Sequence, residues 1–141
     1  MYKKILVAID VSREKNAAKL CQAANQLAKA SGAEIHLVTV VPDYGMPLVA
    51  SYFPEDAQKG LKKEMSDALH KFADEYISGK VAITLRQGKR SRKILDEISR
   101  WEPDLVVVGC RQKASRDNHR VLGSFSSSVA DRAPCAVLIV R

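Results

Sequence analysis

Five short apolar runs punctuate the chain, and helical periodicity fills the stretches between them. Ile5-Leu-Val-Ala-Ile9 is continuous and rich in β-branched residues, which predicts a strand buried on both faces. It ends at Asp10-Val11-Ser12, where Ser12 is a plausible N-cap for a helix reaching about Ala30. In that helix Ala17, Leu20, Cys21, Ala24, Leu27 and Ala28 share one face, and Ser31-Gly32 stops it. Glu34 to Val41 reads as a second strand ended by Pro42. Asp43 to Pro54 reads as a long surface loop. Its Met46, Leu48, Val49, Tyr52 and Phe53 either close over a ligand or tack the loop down.

Leu61, Met65, Leu69, Phe72 and Tyr76 form one stripe on a helix over Glu55 to Ile77, ended by Ser78-Gly79. Val81, Ile83 and Leu85 alternate with Ala82, Thr84 and Arg86, the mark of a half-buried edge strand. Gln87-Gly88-Lys89 turns the chain, and Ser91 can cap a helix whose Ile94, Leu95, Ile98 and Trp101 face inward. Leu105 to Val108 is a fourth strand and Ala136 to Val140 a fifth. Between them lies a helix that opens at Gly123-Ser124, turns Leu122, Phe125 and Val129 to one side, and ends near Arg132, before Pro134.

Strict alternation of strand and helix predicts an α/β fold: a five-stranded parallel sheet with helices on both faces and right-handed crossovers. In such sheets ligands bind beyond the carboxyl ends of the strands, where strand order reverses. The loops at 10–12, 42–54, 87–90 and 110–122 all belong to that edge. The fifth strand is apolar throughout; as a sheet edge it needs a cover, and a second copy paired through Cys135 to Arg141 would supply one.

A length of 141 residues suggests one domain spanning 1–141, and 46% apolar content is ordinary for a globular chain. The opening Met1-Tyr2-Lys3-Lys4 leads straight into a strand, without the pattern of a signal peptide. The longest uncharged run, Tyr44 to Pro54, is too short to span a bilayer. Cys21, Cys110 and Cys135 form no CxxC, which points to a reduced, cytoplasmic setting rather than a disulfide framework. Charge sharpens the picture further. The stretch from Arg86 to Lys93 has five bases and no acid, and Arg111 to Arg120 has four bases against Asp117. Together they carry a formal +8, more than the whole chain's +7. Either these are two solvated basic loops, or they set a positive field over the ligand edge.

Asp104-Leu-Val-Val-Val-Gly109 followed by Gly123-Ser124 is the strongest chemical signal. A strand ending in Gly and a Gly-Ser helix start suit an anion, because first-turn N–H groups are unpaired and the helix dipole is positive there. The combination of Ile5-Leu-Val-Ala-Ile-Asp10, Ile35-His-Leu-Val-Thr-Val-Val41, Gly88 before a helix, Asp104 to Gly109, Gly123-Ser124 and Ala133-Pro-Cys-Ala-Val-Leu-Ile-Val140 resembles the universal stress protein (UspA-like) family along essentially the whole chain.

That resemblance implies an adenine nucleotide alpha hydrolase-like, Rossmann-like fold, a cytoplasmic homodimer acting in stress response, and binding of ATP, with Mg2+, at a G-x2-G-x9-G-[ST] motif. Carried over, Gly109 is the first glycine and Gly123-Ser124 the closing pair, with Phe125 following. Asp10 lies at the nucleoside end, Ala8 under the base, and Val41 or Val40 offers its backbone to adenine. The second glycine position is Gln112, and ten residues rather than nine separate it from Gly123. Arg111, Lys113, Arg116 or Arg120 would then replace lost amide contacts with charge-assisted bonds. A family member that has lost ATP and acts as a protein-interaction or polyanion-binding module is the alternative.

Other chemistry is weaker. No GxxxxGK[ST] exists, and His36, His70 and His119 lack metal-ligand spacing. An enzyme is not the expectation; at most weak ATP hydrolysis or autophosphorylation would be found. The hydroxyls of Ser124, Ser126, Ser127 and Ser128 could accept a phosphoryl group, as the resemblance implies, or cap the helix. Cys110 is either a reactive thiol or core filler. A phospho-receiver would need an acidic pair after the first strand, where Asp10 stands alone. Nucleic-acid binding has the basic rim in its favour, without a helix-turn-helix or RNP-type motif.

Overall fold

The structure is a computed structural model that describes residues 1–42, 55–110, 113–114 and 120–141. The elements run β1 (Lys4–Ala8), α1 (Glu14–Ser31), β2 (Glu34–Val41), α2 (Glu55–Tyr76), β3 (Val81–Gln87), α3 (Arg90–Trp101), β4 (Leu105–Gly109), β5 (Lys113–Ala114), β6 (Arg120–Val121), α4 (Ser124–Arg132) and β7 (Ala136–Val140). Five strands form one parallel sheet in the order β3-β2-β1-β4-β7. β5 and β6 pair antiparallel, in a stretch expected to be plain loop. Two-residue strands are too short for a period-2 pattern to register.

The chain builds outward from β1 through β2 to β3, then returns to start β4 on the other side of β1. Strand order therefore reverses between β1 and β4, and a crevice is expected beyond their carboxyl ends. Asp104 ties the opposite ends of this pair together: its carboxylate accepts the Lys3 N–H at 2.8 Å and the Lys4 N–H at 3.1 Å.

β1 sits at the centre and is covered on both faces, which is why its sequence is apolar without alternation. Ile5 and Val7 pack with Leu20, Ala24 and Leu69 beneath α1 and α2. Leu6 and Ala8 pack with Ile94, Ile98 and Val129 beneath α3 and α4. Each fully buried Leu or Ile here contributes roughly 1.5–3 kcal/mol. The outer strands are barer. β3 is half-buried along its length, and β7 leaves Leu138 36% exposed at the free edge.

Helix ends follow backbone geometry more than the expected serine caps. α1 stops at Gly32, whose φ of 72° lets its N–H reach the Ala28 carbonyl. At its start, however, Arg13 is the N-cap, because Ser12 is engaged by Asp10. Lys89 rather than Ser91 is the N-cap of α3, and Ser91 lies inside the first turn. Among the described residues no helix is long and apolar enough to cross a membrane.

Candidate functional site

The chain leaves β1 through a tight turn in which the Arg13 N–H reaches the Asp10 carbonyl at 3.0 Å. The Asp10 side chain locks that turn. Its Oδ1 accepts the Ser12 N–H at 3.0 Å and the Ser12 hydroxyl at 2.5 Å, an Asx-turn that presents the carboxylate at the sheet edge.

Two cavities flank Asp10. The larger, about 990 Å³, lies toward β2 and α2. Ile9, Val11, Val40, Leu61 and Met65 give it apolar walls, and Asp10, Glu64, Lys89 and Arg90 are its charged groups. That size and mixture suit a small organic ligand with a few polar contacts. The smaller, about 170 Å³, lies toward β4 and α4 and is lined by Asp10, Arg13, Asn16, Arg90, Gly109 and residues 123–126. Asp10 and Arg90 belong to both.

The smaller cavity has the physics of an anion site. Gly123 is the N-cap of α4 and no side chain caps that end, so the helix dipole faces the cavity. The Ser126 hydroxyl donates to the Gly109 carbonyl at 2.7 Å, joining α4 to the end of β4. The Ser127 hydroxyl points back to the Leu122 carbonyl at 3.5 Å. These serines fasten the loop rather than cap the helix, because the N-cap position itself belongs to a glycine. At Gly109 a Cβ would stand 2.5 Å from Asn16 Oδ1, so the glycine makes room for the Asn16 carboxamide. The Arg90 guanidinium lies 3.9 Å from the centre of the Phe125 ring, a cation–π contact that holds the base at the junction of the two cavities.

Of the residues anticipated as ligand contacts, Asp10, Gly109, Gly123, Ser124 and Phe125 line the smaller cavity, and Asp10 and Val40 line the larger. Ala8 is 1% exposed and lies in the core under α3; its neighbour Ile9 is the residue at the cavity wall. Val41 is buried at the end of β2, and its carbonyl accepts the Gly88 N–H at 3.0 Å. Arg111 and Gln112, together with the possible lid residues Met46, Leu48, Val49, Tyr52 and Phe53 and the bases Arg116 and His119, lie outside the described residues. Arg13, Asn16, Glu64 and Arg90 were not anticipated. Only Arg90 had a signal, its place in the basic run after β3.

That basic run divides in space. Arg86 turns inward, where its Nε and one terminal nitrogen each lie 3.0 Å from Oε2 of Glu97. Arg100 pairs with the other Glu97 oxygen. His36 sits 3.7 Å from that oxygen, bonds Thr84 Oγ1 through Nε2 at 2.7 Å, and meets Trp101 edge-on at 4.9 Å. Glu97 and His36 are both 2% exposed. Burial lowers the His36 pKa, opposed by Glu97 and reinforced by Arg100, Arg86 and Lys4. Burial alone would raise the Glu97 pKa, but hydrogen bonds and charge from Arg100 and Arg86 outweigh it and the net shift is downward. This cluster braces β2, β3 and α3 on the sheet face away from α1 and α2. Among the described residues no group of three or more His, Cys, Asp or Glu could hold a metal ion.

The sheet order and its switch point define a Rossmann-like α/β protein with an adenine nucleotide alpha hydrolase-like fold. The chain belongs to the universal stress protein family, whose family model matches residues 1–141. It is 31% identical to universal stress protein YxiE of Bacillus subtilis, with all of both chains covered. Its fold resembles universal stress protein UspA from Lactobacillus plantarum at 28% identity and a TM-score of 0.70, covering 99% of this chain and 98% of that one. Two more distant structures share the fold and were solved with ligands. One is a universal stress protein in complex with cAMP (23% identity, TM-score 0.74, 99% and 97% covered). The other, from Archaeoglobus fulgidus, is in complex with dAMP (20% identity, TM-score 0.65, 99% and 98% covered).

Proposed function

We propose that this universal stress protein binds an adenine nucleotide, ATP with Mg2+ being the form expected in the cell, across the two cavities that meet at Asp10 and Arg90. The observation that carries the reading is this junction: a roomy, mostly apolar cavity on one side and the uncapped start of α4 on the other, at the point where strand order reverses. The nucleoside occupies the larger cavity against Ile9, Val40 and Met65, with Asp10 as acceptor for ribose hydroxyls. The phosphates occupy the smaller cavity against the first-turn N–H groups of α4 and the Arg90 guanidinium. The cAMP and dAMP complexes of fold relatives support adenine as the base.

The protein then acts as a nucleotide-responsive regulator, one domain over 1–141, working in the cytoplasm as a homodimer paired through Cys135 to Arg141. The exposed apolar edge of β7 supports the dimer. Among the described residues Asp10 and Glu64 are the carboxylates that line the two cavities, and Asp10 Oδ1 is engaged by Ser12. Titration calorimetry and thermal shift with ATP, with and without Mg2+, test the proposal. Saturable heat and a raised Tm are expected. No heat and no shift at millimolar ATP would refute it and favour a nucleotide-free interaction or polyanion-binding role.

A further inference from the structure

A third cavity shares wall residues with the first two. It is a groove of about 580 Å³ along the start of α1, walled by Arg13, Lys15, Asn16, Lys19, Cys110 and Arg141, among others. Arg13 and Asn16 also wall the small cavity at the start of α4, and Ser12 is shared with the large one. The basic groove therefore has walls in common with both the apolar chamber and the anion-suited pocket. The groove has four bases and, among the described residues, Glu14 as its one acid. The bases are unfavourably placed for helix stability. Arg13 is the N-cap of α1 and Lys15 lies in its first turn, at the dipole's positive end, where cations are disfavoured. Lys15 and Lys19 are spaced i,i+4, so the like charges neighbour each other on the helix surface. An anion lying in the groove relieves both repulsions.

We propose that the site takes an adenosine 5′-polyphosphate longer than ATP, of four or more phosphates, whose distal phosphates lie along Arg13, Lys15 and Lys19. This rests on the nucleotide reading above and specifies its ligand class. The adenosine and proximal phosphates occupy the first two cavities. The chain then passes between Arg13 and Asn16 into the groove. Lys15 and Lys19 touch neither of the first two cavities, so they separate the tail's contribution from that of the nucleotide itself.

The experiment is titration calorimetry at low ionic strength, where surface charge is least screened. The ligands are AMP, ATP, adenosine 5′-tetraphosphate, diadenosine tetraphosphate and inorganic tripolyphosphate, against the full chain and its Lys15→Ala/Lys19→Ala variant. An exposed ion pair changes affinity by about 1.5- to 5-fold, so two lysines should make the tetraphosphate bind roughly 2- to 25-fold tighter than ATP. The double variant should lose that gain and keep its AMP affinity. Equal affinity for ATP and the tetraphosphate overturns the proposal but leaves nucleotide binding intact, as does a gain that survives in the variant. Tripolyphosphate binding as tightly as the tetraphosphate overturns it too, by showing a groove that ignores adenosine. Diadenosine tetraphosphate that keeps the gain supports a bridged chain, and one that loses it supports a free tail. No binding of any adenine nucleotide removes both readings.

Discussion

Replacing Glu97 by Gln isolates the charge at the centre of the α3 face while keeping the side chain's size. The carboxylate is 2% exposed and accepts bonds from two nitrogens of Arg86 at 3.0 Å, with Arg100 on its other oxygen. Hydrogen bonds to a charged group contribute about 1.5–3 kcal/mol each, and Gln turns one acceptor into a donor facing a guanidinium. Two effects reduce the cost. Arg86 is 41% exposed and Arg100 55%, so both can rehydrate, and neutralising the carboxylate relieves its own desolvation. The net expectation is about 2–3 kcal/mol of lost stability. For a domain of this size that lowers Tm by roughly 6–12 °C. Arg100→Ala should cost less than Glu97→Gln, because that partner is largely in water and Arg86 still pairs the carboxylate. Urea and thermal unfolding by circular dichroism read both. A Glu97→Gln protein as stable as the parent, or an Arg100→Ala variant less stable than Glu97→Gln, would refute the assignment of Glu97 as the buried hub.

His36 has a folded pKa below its ordinary value, so the unfolded chain binds the extra proton first. Its contribution to stability is complete above about pH 6.5 and is lost as pH falls toward the lowered folded value, with a slope of at most about 1.4 kcal/mol per pH unit; His36→Gln should flatten this limb in unfolding measured across pH. Glu97 adds a separate loss below its ordinary carboxylate range, which Glu97→Gln should remove. Arg90→Ala should weaken ATP binding about 10- to 100-fold by calorimetry with an unchanged fold, and Arg90→Lys should fall between. Gly109→Ala places a methyl 2.5 Å from Asn16 Oδ1 and should cost about 1–3 kcal/mol, recovered largely in an Asn16→Ala background. Leu138→Asp, at the exposed edge of β7, should shift the sedimenting species from dimer to monomer if the proposed pairing is right.

Hydrophobic periodicity made most of the architecture legible. β2 and β7 run over the residues their apolar runs mark, and the continuous run at Ile5 to Ile9 does encode the twice-covered central strand. The alternation at Val81, Ile83 and Leu85 belongs to a true edge strand. Capping was less legible because Ser and Asp have competing local partners. Ser12 matched the N-cap pattern, yet Asp10 two residues earlier captured both its N–H and its hydroxyl. Asn16 left no trace in the pattern: nothing in a helix's polar face says that one carboxamide lies against a glycine three strands further along the chain.

Charge was the signal most changed by folding, and the basic run after Leu85 shows why. Counted along the chain, Arg86, Lys89, Arg90, Arg92 and Lys93 make one block facing the ligand edge. Side chains in a strand alternate between faces, and those at a helix start fan around its axis. Arg86 accordingly crosses to the α3 face and neutralises Glu97. Lys93 folds back over Gly88, a glycine with a φ of 137° where an added Cβ would stand 2.7 Å from the lysine Cε. Only Lys89 and Arg90 of this run line a cavity, and only Arg90 reaches both. Meanwhile the walls gain Arg13, Lys15, Lys19 and Arg141 from stretches that look unremarkable in sequence. The positive field at the sheet edge is therefore assembled from the starts of α1 and α3 together with Arg141. Neutralising the 86–93 block alone should leave the groove beside α1 still able to draw an anion.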